Sequence, residues 1–262
     1  MPHSFAAEAD PGRAIWQLTG KDVAPFLQGL VSNDVLPLSR GHGIVWAALL
    51  TPQGKYLADF FVVRRAGDEA WLIDLPEALA AATMRRLTMY RLRADVQMAP
   101  TGLHALRGRG APPPGALPDP RHPDLGWRLY GDIAGTAPTT DWAALRVALM
   151  IPAYPEDLVP DDSYILEMGF ERLHGVDFRK GCYVGQEVTA RMKHKTDLRK
   201  GLVRLRLHGP ANPGMPITLQ DGREAGRLGT IAGDLALAHL RYDRLSAPLF
   251  AGDAALSPDA SL

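Results

Sequence analysis

Residues 179–195 read RKGCYVGQEVTARMKHK and hold the only cysteine of the chain, Cys182. Lys180 precedes the thiol, Tyr183 follows it, and Gly181 and Gly185 stand on either side. Gln186 and Glu187 close the motif, after which good helix formers run for about two turns. This pattern predicts a thiol on a glycine-jointed loop that feeds a short helix. A neighbouring lysine and a helix N-terminus both favour the thiolate, drawing the pKa below the free value of about 8.5. Glycine permits positive φ and lets backbone approach a ligand closely. Free N–H groups at the helix start attract an anion. The competing reading is a small buried hydrophobe, the usual state of a lone cysteine.

Other polar groups stand in places that ask for a partner. Asp59 lies inside an apolar run, where an unpaired carboxylate is costly. Asn33 and Asp34 end a helical pattern, as ligand contacts or as a polar terminus. Arg191, Lys193, His194 and Lys195 form a basic run that suits a carboxylate-bearing ligand, RNA, an acidic partner or plain solvation. The eight histidines show no H-E-x-x-H and no paired Cys/His spacing. A single thiolate is too few for a cluster or a zinc ion, so no stable metal site of the chain's own is expected.

The elements that must position these groups follow from periodicity. Residues 14–18 form a short strand. Val23, Phe26, Leu27, Leu30 and Val31 share one helix face, with Thr19 as its expected cap. Residues 44–50 and 56–63 flank a Thr-Pro-Gln-Gly turn and read as a hairpin, followed by a strand at 70–75. A helix from Pro76 to about residue 91 carries Arg85 and Arg86, with Arg91 and Arg93 at its end, most simply a solvated face. Residues 107–126 are loop, 127–130 strand and 142–150 helix, while 163–170 fits strand or helix. From Lys200 short alternating strands predict a small antiparallel barrel or sandwich.

The chain has 262 residues, which suggests two or three modules. Expected boundaries are an N-terminal lobe at 1–105, a second lobe at 106–195, a barrel at 196–255 and a disordered tail at 256–262. Acids and bases balance at 29 each, so no global charge draws the chain to nucleic acid or membrane. The start, MPHSFAAEADPGRAIW, has no apolar run long enough for a signal peptide, and no stretch of 18 apolar residues follows. A cytoplasmic protein is expected on that basis.

The string K-G-C-Y-x-G-Q-E followed by V-x-A-R resembles the signature of the YgfZ family. These are folate-binding proteins related to the T-protein (aminomethyltransferase) of the glycine cleavage system. They are implicated in iron–sulfur cluster assembly or repair and, in bacteria, in cluster-dependent tRNA modification. The resemblance implies an α+β fold of two antiparallel-sheet lobes and a C-terminal β-barrel around a central opening. It implies tetrahydrofolate or a derivative as cofactor and iron–sulfur assembly or client proteins as partners, with RNA contact through Arg191–Lys195. Glu167, in Leu-Glu-Met-Gly, resembles the glutamate that pairs with the pterin ring, a carboxylate suited to accept two adjacent N–H donors. Asp59 and Asn33 are implied to line the same ligand, with Lys180, Gly181, Tyr183, Gln186, Glu187 and Arg191 around it and Cys182 as the reactive thiol. The T-protein carries an acidic pair where this chain has Ala58-Asp59, which weakens the runner-up reading of a one-carbon transferase. A ligand-free interaction scaffold is the third reading.

Overall fold

The computed structural model describes residues 7–195 and 197–259, which form two compact units. The first comprises residues 7–53, Leu57–Thr140 and Leu173–Gln186; the second comprises Gly54–Tyr56, Asp141–Arg172 and residues 187–259. The 173–186 segment with Cys182 therefore belongs to the first unit, and Glu167 to the second.

The first unit contains strands β1 (Glu8–Ala9), β2 (Arg13–Thr19), β3 (Gly43–Leu50), β4 (Tyr56–Arg64), β5 (Trp71–Pro76), β6 (Gln97–Pro100), β7 (His104–Gly108), β8 (Leu117–Pro118) and β9 (Trp127–Gly131). Five of them form a sheet of order β3-β4-β5-β2-β6, and the others a sheet of order β1-β7-β9-β8. The strand β7 spans the boundary expected near residue 105. The apolar runs explain the central strands: residues 46–50 of β3 and 58–63 of β4 are buried on both faces. Helix α1 (Val23–Gln28) is shorter than its apolar pattern. Its cap position is Asp22, not Thr19, which stays in β2 opposite Gln97. Helix α2 (Glu77–Arg91) starts after Pro76 and buries Leu79, Ala80, Thr83, Met84 and Leu87, packing on β5 and β2.

The two sheets of this unit are joined by a buried ionic network that the sequence did not announce. Asp74 on β5, with no exposed surface, accepts from Arg13 Nε (2.7 Å), Arg128 Nη2 (2.9 Å) and the Tyr130 hydroxyl (2.9 Å). Arg128 also reaches Asp10 at 2.7 Å, and Arg107 pairs with Asp10 at 3.0 Å. The Phe61 ring lies beneath this layer, with the Arg128 guanidinium 4.2 Å and that of Arg121 4.8 Å from its centroid. Burial alone would raise the Asp10 carboxyl, but Arg128, Arg107 and Arg13 bring it down to about 2. A carboxylate with a depressed folded pKa stabilises above its unfolded value and loses that contribution as pH falls through the folded one. Acid titration of Asp10→Asn against the parent therefore shows a difference of about 2 kcal/mol at neutral pH that vanishes between pH 3.8 and about 2.

The second unit contains helix α3 (Trp142–Ala148), capped by Asp141, whose Oδ1 accepts from Ala144 N at 2.8 Å. Strands β10 (Lys200–His208), β11 (Pro216–Leu219), β12 (Glu224–Ala232), β13 (Leu235–Arg241), β14 (Leu249–Ala251) and β15 (Ala254–Pro258) close a barrel of order β10-β13-β12-β11-β14-β15. Val203, Leu205 and Leu207 enter its core with Ile217, Leu228 and Leu256. The alternate residue Arg204 is buried as well, donating to Asp259 Oδ2 (2.7 Å) and to the Ala148 carbonyl (2.5 Å). Residues 256–258, expected in a disordered tail, instead pair with β10, and Asp259 is buried. Cross-strand hydrogen bonds and an ion pair outweigh the weak propensity of Ser-Pro-Asp. Residues 260–262 of that expected tail lie outside the described residues.

Candidate functional site

The signature loop is held from both sides while its thiol faces solvent. Cys182 is exposed. Lys180 Nζ donates to the carbonyls of Gln28 (2.7 Å) and Val31 (2.5 Å), at the end of α1. Its ammonium also lies 4.8 Å from the centroid of the buried Tyr183 ring. Burial lowers the Lys180 pKa to about 8, against the pull of Asp34 and Asp177. Upstream, Ser32 Oγ donates to Gly175 O (2.6 Å) and Ser32 O accepts from Asp177 N (3.1 Å). Gly185 takes φ +83° before helix α4 (Gln186–Lys195), as the glycine-jointed loop requires; Gly181 needs no positive φ. Gln186 N bonds to Tyr183 O at 3.2 Å, so Tyr183 and the helix start form one tight turn. Glu187 sits exposed in the first turn of α4.

Asn33 and Asp59 meet at Trp46. The Asn33 amide donates to Trp46 O (2.8 Å) and His174 O (2.7 Å), so it ties the signature loop to β3. The Trp46 indole N–H donates to Asp59 Oδ2 at 2.8 Å. The cost of a carboxylate in an apolar strand is met by that bond, and neither Trp46 nor His174 could be picked out by spacing.

Glu167 belongs to the second unit, on a run of turns rather than a strand or a regular helix. It is 8% exposed, which rules out a surface helix glutamate. Its Oε2 lies 2.9 Å from His239 Nε2 on β13 and 3.6 Å from Lys200 Nζ on β10. Oε1 has no hydrogen-bond partner among the described residues. The backbone is fastened too: Glu167 O accepts from Leu202 N at 2.7 Å. Beside this cluster a cleft of about 370 Å³ is lined by Lys200, His239, Arg227, Arg241, Asp162 and Ser163. His239 is thus a site residue that sequence reasoning missed, because it is 72 residues away in the chain.

Arg191 is exposed on α4, and Lys193 on the same helix pairs with Glu171. The Lys195 side chain lies outside the described residues. Among the described residues there is no group of three or more His, Cys, Asp or Glu arranged to hold a metal ion. None of their helices is long and apolar enough to cross a membrane.

With this geometry in hand, the chain can be set beside known proteins. Residues 199–261 match the family model described as CAF17, C-terminal beta-barrel domain. The fold is similar to the glycine cleavage system aminomethyltransferase T from Bartonella henselae, with a TM-score of 0.76 at 12% identity over 97% of this chain and 85% of that one. The likeness establishes a T-protein-like α+β fold with a C-terminal barrel.

The chain is 31% identical to the iron–sulfur cluster assembly factor IBA57, mitochondrial, of Mus musculus, over 91% of this chain and 78% of that protein. It is 28% identical to the Homo sapiens protein of the same name, with the same shares covered. It is 33% identical to the IBA57 homolog of Mycosarcoma maydis over 80% of this chain, but spans only 59% of that relative's length. All three are mitochondrial proteins, and this corrects the cytoplasmic expectation. The inference failed because organelle leaders are amphipathic and Arg-rich, so a missing apolar run says nothing about them. The thiol loop, the T-protein-like architecture and the extent of these matches lead to one assignment: the chain belongs to the family of the iron–sulfur cluster assembly factor IBA57.

Proposed function

We propose that this chain is an accessory factor in iron–sulfur cluster assembly that offers Cys182 to a cluster carried by a partner. The observation that carries the reading is the exposed sulfur on an anchored loop. Lys180, Ser32 and Asn33 fix the backbone on the approach to the thiol, so little ordering entropy is lost when a partner engages it. A sole cysteine supplies one ligand of the several a cluster needs, and the partner supplies the rest. The cluster is cargo in this scheme. Its clients would include cluster-dependent tRNA-modifying enzymes.

We propose further that the chain binds a reduced folate, with Glu167 accepting from the pterin edge. The free Oε1 supports this, while Oε2 is shared with His239 and Lys200. A two-pronged fork therefore requires His239 to turn away as the ligand enters.

Two experiments test the two parts separately. In cells lacking their own IBA57, the parent chain restores iron–sulfur enzyme activities and Cys182→Ala does not, although both are equally folded; full rescue by Cys182→Ala removes the thiol from the mechanism. Calorimetric titration with tetrahydrofolate gives saturable binding that Glu167→Gln weakens by about tenfold, as loss of a charge-assisted hydrogen bond requires. Absence of saturable binding eliminates the folate part and leaves the thiol part standing.

A further inference from the structure

The outer face of α2 is unusual for a solvated helix. Beyond the exposed Glu77 of its first turn, from Ala78 through Ala81, Ala82, Arg85 and Met89 to Leu92 just past its end, it carries no acid. Exposed helix faces ordinarily mix charges of both signs. Leu92 is 86% exposed and Met89, one turn back, 72%. Leu92 also takes φ 45° and ψ −107°, in the left-handed half of backbone space that a branched side chain rarely adopts, so backbone strain accompanies its exposure.

Arg85 and Arg86 precede Met89 by one turn, and Arg91 and Arg93 flank Leu92 in the chain. None of the four is in ion-pair contact with a carboxylate among the described residues; Arg91 Nη1 donates to the Val96 carbonyl at 3.3 Å. Along the chain the nearest acids are Glu77, at the far end of the helix, and Asp95, whose Oδ1 accepts from Gln97 and whose N–H donates to the Asp22 carboxylate at 2.8 Å. A chain that is neutral as a whole thus places four cations within nine positions that also hold two solvent-facing apolar side chains.

We propose that this end of α2 is the docking surface for an acidic protein segment bearing apolar side chains. Complementary charge selects the acidic partner: each guanidinium fork donates two parallel hydrogen bonds to a carboxylate. The composition selects protein over bilayer. All four cations are arginine and none is lysine, and arginine and methionine are enriched where proteins meet while lysine is depleted. Two apolar side chains also give little area to insert into lipid. The exposed alanines let a partner backbone come close. The surface is independent of Cys182 and of the folate reading, and stands whether or not those hold.

The test uses the full chain and two pairs of substitutions at exposed positions, Arg85→Glu with Arg93→Glu and Met89→Ser with Leu92→Ser. A labelled helical peptide with one leucine face and one glutamate face serves as probe, beside the same peptide with glutamine for glutamate and with alanine for leucine. Vesicles of phosphatidylcholine with anionic lipid are the third probe. The leucine–glutamate peptide binds saturably, each altered peptide binds about tenfold more weakly, and each double variant loses a similar factor. In cells, a benzophenone amino acid at position 89 crosslinks to a net-acidic protein segment, and adding Arg85→Glu and Arg93→Glu suppresses the adduct. Equal binding of the glutamine peptide, insensitivity to either double variant, vesicle binding that these variants abolish, or a crosslink to lipid or to an uncharged segment each overturns the proposal.

Discussion

Asp74→Ala is expected to destabilise the first unit by about 3–5 kcal/mol, because it removes one member of a buried charge cluster and leaves Arg13 without its carboxylate and Arg128 with one fewer. The side chain it replaces has no exposed surface and accepts three hydrogen bonds, from Arg13, Arg128 and Tyr130. With the carboxylate gone, Arg128 keeps Asp10 at 2.7 Å and Asp119 at 3.8 Å, while Arg13 loses the carboxylate its Nε donates to. Urea unfolding followed by tryptophan fluorescence reads the change as a drop in midpoint, and thermal melting as a fall of roughly 10 °C. Asp74→Asn, which keeps shape and one acceptor, costs less. A loss below about 1 kcal/mol for Asp74→Ala would mean that the network is not what joins the two sheets.

The second large effect lies in the other unit and turns on a single hydrogen atom. A Cβ added at Gly229 on β12 would stand 2.0 Å from Asp157 Oδ1 and 3.1 Å from its Cγ. Asp157 cannot swing aside freely, since it accepts from Thr230 N (2.8 Å), Thr230 Oγ1 (2.7 Å) and Ala153 N (2.9 Å). Burial pushes its carboxyl pKa up, which those bonds and Arg146 only partly offset. Gly229→Ala therefore adds overpacking to the loss of buried hydrogen bonds, about 3–5 kcal/mol together. A double-mutant cycle with Asp157→Ala checks the cause: the pair costs less than the sum of its parts, because the clash disappears with the carboxylate. Strict additivity would place the damage elsewhere.

What the chain disclosed in one dimension was whatever is local. Gly181, Cys182 and Gly185 followed by helix formers placed the thiol on its loop, because turn chemistry and helix initiation act over a few residues. The apolar runs at 44–50 and 56–63 found β3 and β4 for the same reason, and alternation from Lys200 found the barrel. What escaped depends on partners far along the chain. Asp59 was flagged as needing a bond, but Trp46 as the donor follows only from strand neighbours. Glu167 was singled out by a flanking motif, yet its bond to His239 joins residues 72 positions apart. The four arginines in and just after α2 read as a solvated face; the exposure of Met89 and Leu92 beside them was not legible, because burial is decided by tertiary packing. The end of the chain misled most: Ser257 and Pro258 have weak strand propensity, and β10 overrides it.

That last pairing bears on how the protein is made. β15 joins β10 through Leu205↔Pro258 and Arg206↔Ser257, partners separated by about fifty positions. The barrel cannot close on the ribosome until residue 258 has left the exit tunnel. Until then β10 and β14 present raw edges, so a chaperone that shields nascent strands would be needed most during that interval.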